Sequence, residues 1–308
     1  MIALRAALND YLTMRRALGY KLWRAEKLLA QFVAFVEANG SERITVDLAL
    51  AWATLPAQGA MDWWSGRLTV VRGFAGYVHT LDPATEVPPT ELLPAQSHRA
   101  IPYLYSDDDV LALMLAAEIL RWPLRVLTFR TLIGLLAVTG MRIGEAIRLD
   151  RSDLDLDAGV LTVRVSKFGK SRELPLHTST LAALQTYLQQ RDQLYPRPTA
   201  PSLFISTAGT RLLYCGVHWT FLRLVRQAGM QPRSARCRPR PHDLRHSFAV
   251  RTVLEAYRAD ANVAARLPLL STYLGHLHPA NTYWYLSAAP ELLALAGERL
   301  ERSLEAPI

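Results

Sequence analysis

Six side chains, spread over four short segments, have types that could act together on a phosphate ester. In chain order they are Arg142, Lys167, His242, Arg245, His276 and one of two tyrosines that follow it, Tyr283 or Tyr285. Arginine offers a planar fork of donors that suits phosphate oxygens, a tyrosine hydroxyl can attack phosphorus, and a lysine can protonate the leaving oxygen. His242 and Arg245 are three residues apart, so one helix face would present both. The set predicts phosphoryl transfer through a covalent tyrosine link, which needs no metal ion or cofactor.

Taken singly, each segment has a simpler interpretation. An arginine at a helix start usually forms a surface ion pair, and Glu145 stands three residues after Arg142. A lysine at a hairpin tip is usually solvated, and a tyrosine on a helix more often packs in the core than reacts. In a chain so rich in arginine, a His-x-x-Arg pair is expected by chance. The prediction of a site therefore rests on the combination.

The elements that must position these residues can be predicted from local signals. Ser106 can cap a helix whose first turn is Asp107-Asp108-Asp109. Thr139-Gly140 is expected to end a buried helix just before the first arginine, and Lys167 lies at the tip of a predicted hairpin. Strands are expected at 160–165 and 172–176, and helices at about 124–138, 178–190, 214–229, 242–258, 263–275 and 290–304.

A proline-rich stretch divides the chain. Residues 1–82 carry apolar side chains at helical spacing and are expected to form a helical domain. Five prolines between Asp82 and Ser106 exclude a helix or a central strand, so residues 83–105 are predicted to be an interdomain linker. Residues 106–308 are expected to form a second domain that contains the hairpin. The predicted fold class is therefore mainly α with a small β-sheet, an α+β architecture.

The formal net charge of +8 is unevenly distributed. Residues 1–98 hold nine basic and nine acidic side chains, whereas residues 99–308 hold 26 basic and 18 acidic ones. Such an excess suits a polyanion, and two domains on one tether could close around duplex DNA. A basic run is as often an ordinary solvated surface, so position alone does not decide between the two. The candidate DNA-binding residues are Arg233, Arg236, Arg238 and Arg240.

The composition excludes several classes of protein. Half of the residues are hydrophobic, so the chain is not intrinsically disordered. No apolar run reaches the roughly 18 residues of a membrane helix, and the N-terminus lacks a signal-peptide pattern. Two cysteines, Cys215 and Cys237, provide neither a disulfide framework nor a zinc site and fit a reducing compartment. We therefore expect a cytoplasmic protein with no membrane partner.

In their types and their order, these segments resemble the tyrosine recombinase family, also called the phage integrase family. That family carries an arginine after a Thr-Gly turn, a lysine in a strand hairpin, His-x-x-Arg on a helix, Gly-His, and a tyrosine nine residues after that histidine. The matching segments here are Thr139-Gly140-Met141-Arg142, Lys167, His242-Asp243-Leu244-Arg245, Leu274-Gly275-His276 and Tyr285. The resemblance covers residues 100–290, and it implies a helical core-binding domain followed by a catalytic domain.

The resemblance also implies site-specific strand exchange on double-stranded DNA, without a cofactor. Tyr285 would attack a DNA phosphate and leave a 3′-phosphotyrosyl link, while Lys167 would protonate the leaving 5′-oxygen. The 5′-hydroxyl of a partner strand would then attack that link. Tyr285 rather than Tyr283 is the expected nucleophile, because its distance of nine residues from His276 is the family spacing.

The other matched side chains are implied to act on the same phosphate. Arg142 and Arg245 would hold the scissile group, and His276 would donate a hydrogen bond to one of its oxygens. His242 would assist proton transfer at the tyrosine. Glu145 would orient Arg142 without touching the DNA.

The biological role is left open. Residues 281–292 depart from the usual Thr-x-x-Tyr-x-His ending of the family and resemble recombinases of transposons and other mobile elements. The alternatives are a chromosome- or plasmid-dimer resolvase, a type IB topoisomerase-like enzyme that relaxes DNA, and a DNA-binding module without catalysis, which the complete set of six argues against. The resemblance implies a tetramer on two DNA sites, joined through the helix at 290–304, and allows for other recombinases or accessory proteins as partners.

Overall fold

The computed structural model describes residues 3–55, 59, 61–93, 100–164, 171–276, 282, 291, 292, 294, 295, 297, 298 and 301. The chain forms two compact units, Met1–Arg99 and Ala100–Ile308. Each unit has its own hydrophobic core. Across the described ranges, no helix combines the length and the apolar character needed to cross a lipid bilayer.

The first unit packs helices around one core. They are α1 (Leu4–Ala17), α2 (Trp23–Ala38), α3 (Val46–Thr54) and α4 (Met61–Leu81). The start of α3 is fixed by the Thr45 hydroxyl, which accepts a hydrogen bond from the Leu48 N–H at 3.2 Å. Phe32, Trp52 and Phe74 are buried in this core, and the first two rings meet edge to face at 5.3 Å. The unit is thus helical, as its apolar spacing predicts.

The second unit is mainly helical and carries a small antiparallel sheet. Its helices are α5 (Asp107–Ala116), α6 (Pro123–Thr139), α7 (Ile143–Arg148), α8 (Thr178–Leu194), α9 (Tyr214–Gln227), α10 (Asp243–Arg258) and α11 (Val263–Leu274). Its strands are β1 (Leu154–Asp155), β2 (Val160–Val163) and β3 (Arg172–Pro175), in the order β1-β2-β3. In the hairpin register, Val163 lies opposite Arg172. The predicted fold class, mainly α with a small β-sheet, is confirmed.

Local signals set two helix ends in the second unit. Ser106 and Asp109 form a capping box at the start of α5, with hydrogen bonds of 3.1 and 3.0 Å between side chain and backbone. Gly140 ends α6 in the left-handed region at φ 59°. A Cβ atom at Gly140 would overlap the Phe248 ring, so this turn requires glycine for space as well as for conformation.

The core of the second unit is built on α6. Leu132, Ile133 and Leu136 are buried there, and α6 contacts α5, α8 and α10. A second cluster joins α10 to α11 and includes Leu292, which is 1% exposed. The neighbouring Glu291 accepts a hydrogen bond of 2.5 Å from Arg258. The start of the helix predicted at 290–304 therefore packs on its own unit.

The predicted linker at 83–105 differs from the structure at both ends. Tyr103 and Tyr105 are buried in the core of the second unit. At the other end, the Glu86 N–H donates to the Ile44 carbonyl at 2.9 Å, which fastens this segment to the first unit. Prolines prevent helices and central strands, but an extended chain can still bury its side chains. The start of the proline-rich stretch therefore belongs to the first unit, and its end belongs to the second unit.

Candidate active site

Arg142 lies at the junction of α6 and α7. Its backbone is extended (φ −74°, ψ 141°), because Gly140 has just ended α6 and α7 begins at the next residue. The Arg142 side chain is 27% exposed and its Nη2 atom lies 3.5 Å from the Gly275 carbonyl oxygen. Part of this guanidinium therefore remains open to a ligand.

Glu145, on the first turn of α7, holds Arg142 from the buried side. Its carboxylate is 1% exposed and accepts hydrogen bonds from the Arg142 N–H at 2.9 Å and from Arg142 Nη1 at 2.8 Å. Burial alone would raise the pKa of Glu145, but hydrogen bonds and positive charge from Arg172 and hydrogen bonds from Arg142 outweigh it and lower the pKa to about 2. Glu145 is therefore fully ionised at neutral pH, in a position that fits its predicted orienting role.

Arg172, the first residue of β3, is a member of this cluster that sequence reasoning missed. Its Nη2 atom donates to Glu145 at 2.8 Å and its Nε atom donates to the Tyr273 carbonyl at 2.8 Å. These partners lie 27 and 101 residues away along the chain. Local spacing therefore gives no signal for the role of Arg172.

Arg245, on the first turn of α10, is 1% exposed and ties three segments together. Its Nη1 atom donates to the Gly140 carbonyl at 2.9 Å, and Nη2 donates to the Leu274 carbonyl at 2.6 Å. The same Nη2 atom lies 2.9 Å from Nε2 of His276. The predicted Arg245 and His276 are thus brought into direct contact, beside the turn that precedes Arg142.

The contacts of His276 define its protonation. Arginine has only N–H donors, so Nε2 of His276 must accept the bond from Arg245. The ring proton is then on Nδ1, which donates to the Thr282 hydroxyl at 2.8 Å. Desolvation and the positive charges of Arg245 and Arg142 lower the pKa of His276 to about 4. His276 is therefore neutral at pH 7, and the buried Thr282 is a contact that the motif did not indicate.

His242 lies immediately before α10 and keeps part of its surface exposed. Its ring meets that of His246 edge to face at 4.9 Å. Desolvation on its protein side, with the charges of Arg245 and Arg142, lowers the pKa of His242 to about 4. A neutral, accessible imidazole can accept a proton, which is the chemistry predicted for this position.

We expect the fold to lose stability as the pH falls from neutral to about 4.5, because unfolded histidine with a pKa of about 6.5 binds a proton that folded His276 does not. His276→Gln should make the unfolding free energy less dependent on pH, since glutamine can accept from Arg245 and donate to Thr282. Urea denaturation at both pH values measures this. The exposed His177, at the start of α8, gives the control His177→Gln. Equal pH dependence in wild type and His276→Gln would contradict the expectation.

The four candidate DNA-binding arginines fall into two groups. Arg233 lies 4.6 Å over the Tyr103 ring, and Arg240 donates to the buried Asp243 at 2.8 Å, so both have structural contacts. Arg236 and Arg238 are exposed, and among the described residues their guanidinium groups have no ion-pair partner. The second pair is therefore better suited to contact a phosphate backbone.

Two of the predicted catalytic residues, Lys167 and Tyr285, lie outside the described residues, as does Tyr283. The others converge: Arg142 and Arg245 both contact the segment Leu274–His276, and the charges of both act on His242. This arrangement gathers donors and positive charge around one point, as the binding of an anionic ester requires.

Comparison with known proteins agrees with this geometry. A model described as the phage integrase family matches residues 105–291. A candidate integrase/recombinase of Sinorhizobium fredii, y4rB, is 46% identical over 311 residues, which cover 99% of each chain. Among solved structures, the Tn1549 transposon integrase bound to a circular intermediate DNA has a TM-score of 0.67 at 17% identity, and covers 96% of this chain and 99% of that one. A lambda integrase tetramer bound to a Holliday junction has a TM-score of 0.63 at 19% identity, covering 92% and 77%.

The structural likenesses, at such low identity, establish the fold, whereas the family match and the close relative establish descent. The family match spans the whole segment from Tyr105 to Glu291, which includes every predicted catalytic position. This chain belongs to the phage integrase family, the tyrosine recombinases that break and rejoin DNA.

Proposed function

We propose that this chain is a site-specific DNA recombinase that cleaves and rejoins strands through a 3′-phosphotyrosyl link at Tyr285. The observation that carries the proposal is the contact between buried Arg245 and neutral His276, next to the Arg142 and Glu145 pair. Thr282 binds His276 and precedes Tyr285 by three residues.

In the proposed reaction, one bond to phosphorus forms as another breaks, and protein side chains accept and supply the two protons. The Tyr285 oxygen bonds to phosphorus as the bond to the 5′-oxygen breaks, and His242 takes up the tyrosine proton. Lys167 supplies a proton to the leaving 5′-oxygen. Rejoining reverses these steps with the 5′-hydroxyl of a partner strand, so the ester bond conserves the energy of the cleaved bond.

The arginines have different parts in binding the phosphate. Arg142 is partly exposed and can donate to a phosphate oxygen without breaking its bond to Glu145. Arg245 presently donates to His276, so a bound phosphate oxygen would compete for that donor. Because the ring proton of His276 is on Nδ1, the released Nε2 would have to gain a proton before it could donate to a phosphate oxygen as predicted.

Binding of duplex DNA by the exposed arginines has a measurable signature. We expect DNA affinity to fall steeply with salt, with a log–log slope of several units. Arg236→Gln and Arg238→Gln should each reduce that slope by about 1. Filter binding over a salt series measures the slope for wild type and for the Arg236→Gln and Arg238→Gln variants. An unchanged slope in both variants would refute a contact between these arginines and the DNA phosphates.

Arg240→Gln should instead lower the unfolding free energy, since it leaves the buried Asp243 without its 2.8 Å partner.

We further propose that the enzyme acts as a tetramer on two DNA sites. An apolar cavity of about 680 Å³ lies between α5, α6 and α8, with Leu111, Met114 and Val138 in its lining. Leu111 is 55% exposed and Val138 is 45% exposed, so this surface is available to a partner. The proposed occupant is the C-terminal segment of a neighbouring protomer, after Leu292.

The favoured biological role is movement of a mobile element. It rests on the departure at residues 281–292 from the usual family ending. A dimer resolvase of the same family and a strand-relaxing topoisomerase remain the alternatives. We also propose that the enzyme is located in the cytoplasm, because its proposed substrate is cellular DNA.

The test is to incubate the protein with nicked duplexes from the flanks of its gene and to look for a covalent protein–DNA adduct. Sequencing the adduct ends locates the cleaved bond. Joining of two different duplexes supports recombination, whereas relaxation of supercoils without joining supports the topoisomerase alternative. Absence of any adduct across the flanks would overturn the proposed chemistry.

A further inference from the structure

We propose that Arg172 is a positioning residue that orients Arg142 through the buried carboxylate of Glu145. The inference rests on the recombinase chemistry proposed above. Arg172 is the first residue of β3, the second strand of the hairpin, and its side chain is 12% exposed. One guanidinium thus joins the sheet, the start of α7 and the end of α11.

The first step in the argument is the sharing of one carboxylate. Oε1 of Glu145 accepts from Arg142 Nη1 at 2.8 Å and from Arg172 Nη1 at 3.3 Å. Oε2 accepts from the Arg142 N–H at 2.9 Å and from Arg172 Nη2 at 2.8 Å. The carboxylate cannot rotate without breaking bonds to both arginines, so the position of Arg172 fixes the direction in which Arg142 points.

The second step is the contact of Arg172 with the turn before His276. Its Nε atom donates to the Tyr273 carbonyl at 2.8 Å. Gly275 has φ +69°, and a Cβ atom there would come within 3.1 Å of Arg172 Nη1. The turn therefore lies directly against this guanidinium, which supports the site from a second side.

The third step is electrostatic. The charged and titratable groups that face Glu145 are Arg142 ahead of α7, Arg172 from β3 and His242 at the start of α10. Burial raises the pKa of Glu145, and the hydrogen bond and charge of Arg172 are the largest influences that lower it. Without Arg172 the pKa of Glu145 rises. A protonated Glu145 can no longer accept hydrogen bonds from both the backbone N–H and the Nη1 atom of Arg142. Loss of Arg172 should therefore make the orientation of Arg142 depend on pH.

The experiment measures single-turnover cleavage of a nicked duplex by the full-length protein. We expect Arg172→Met to slow cleavage by about 100-fold at neutral pH through misplacement of Arg142. DNA affinity should change little, because many phosphate contacts are kept. From about pH 8 down to about pH 5, the cleavage rate should fall more steeply in Arg172→Met than in wild type. The reason is that the raised pKa of Glu145 in this variant lets its carboxylate take up a proton at a higher pH than in wild type. Arg172→Lys should restore part of the rate and the wild-type pH profile, because it restores the charge.

The matched control is Arg211→Met, which removes an arginine of the same unit that pairs with Asp150 at 2.6 Å and donates to the Ile147 carbonyl at 3.0 Å. Thermal unfolding verifies that each variant is folded, and Arg172→Gln, which also removes the charge, replaces Arg172→Met if that variant does not fold. The inference is wrong if Arg172→Met has the rate and pH profile of Arg211→Met.

A double variant tests the route through the carboxylate. If Arg172 acts through Glu145, then Glu145→Gln with Arg172→Met should cleave no more slowly than the slower single variant. Multiplied losses would mean that Arg172 acts independently and would overturn the coupling. Failure of the proposed function looks different, because wild type itself would then form no covalent adduct.

Discussion

Tyr285→Phe is expected to bind its DNA site with near-normal affinity and to form no covalent adduct. Only the hydroxyl is lost, so the phosphate and groove contacts remain, but no oxygen is left at this position to bond to phosphorus. A nicked duplex provides the measurement, because the short cleaved fragment diffuses away and traps the enzyme on the DNA. Denaturing gel electrophoresis then separates adduct from free protein.

The matched control is Tyr283→Phe, which should still form the adduct. The two tyrosines are two positions apart, or about 200° around an ideal helix, so both could not face one phosphate from a helix. If the adduct persisted in Tyr285→Phe and peptide mapping placed it on Tyr283, the assignment of the nucleophile would be wrong, although the reaction class would stand.

Arg245→Met should have the largest effect among the described residues. It leaves the Gly140 and Leu274 carbonyls and Nε2 of His276 without their donor, at an expected cost of about 3 kcal/mol in unfolding free energy. Adduct formation should fall by about 1,000-fold beyond any loss of folded protein, since a donor for the developing phosphate charge is gone. Urea denaturation and single-turnover cleavage measure the two effects separately.

Substitution of a second buried arginine, Arg191, is the control that distinguishes a loss of stability from a loss of catalysis. The Arg191 side chain is 3% exposed and donates to the carbonyls of Ser202 and Leu203, both at 2.9 Å, on α8 away from the site. Arg191→Met should lose a comparable free energy of unfolding but keep its cleavage rate per folded molecule. If the two variants lost cleavage equally, the role of Arg245 would be structural only.

Those parts of the fold that depend on local signals could be predicted from the sequence. Ser106 with its acidic first turn marks the start of α5, and Gly140 marks the end of α6, because caps and left-handed turns involve neighbours in the chain. Alternation likewise located the two strands of the hairpin. The proline rule was correct in excluding a helix but gave no account of burial, so Tyr103 and Tyr105 were assigned to a linker instead of a core.

The site divides in the same way. Motif types and order predicted Arg142, Arg245 and His276 as site residues, since each type has its own chemistry, and the structure brings these three together. Arg172 and Thr282 could not be found, because their importance comes from partners that only tertiary folding brings near. Arg240 is a different case, since Asp243 stands three residues after it and an ion pair at that spacing is a local signal.

The buried Glu145 carboxylate has a consequence for how the enzyme responds to its surroundings. The pKa of Glu145 is near 2, and those of His242 and His276 are near 4. None of these three groups therefore changes its protonation state within the range of pH found in cells. Three guanidinium charges, on Arg142, Arg172 and Arg245, face a single negative one. The site is therefore a receptor for anions whose charge is set before DNA arrives. A fall in pH within that range would therefore leave the charges of these three groups, and their effect on a bound phosphate, unchanged.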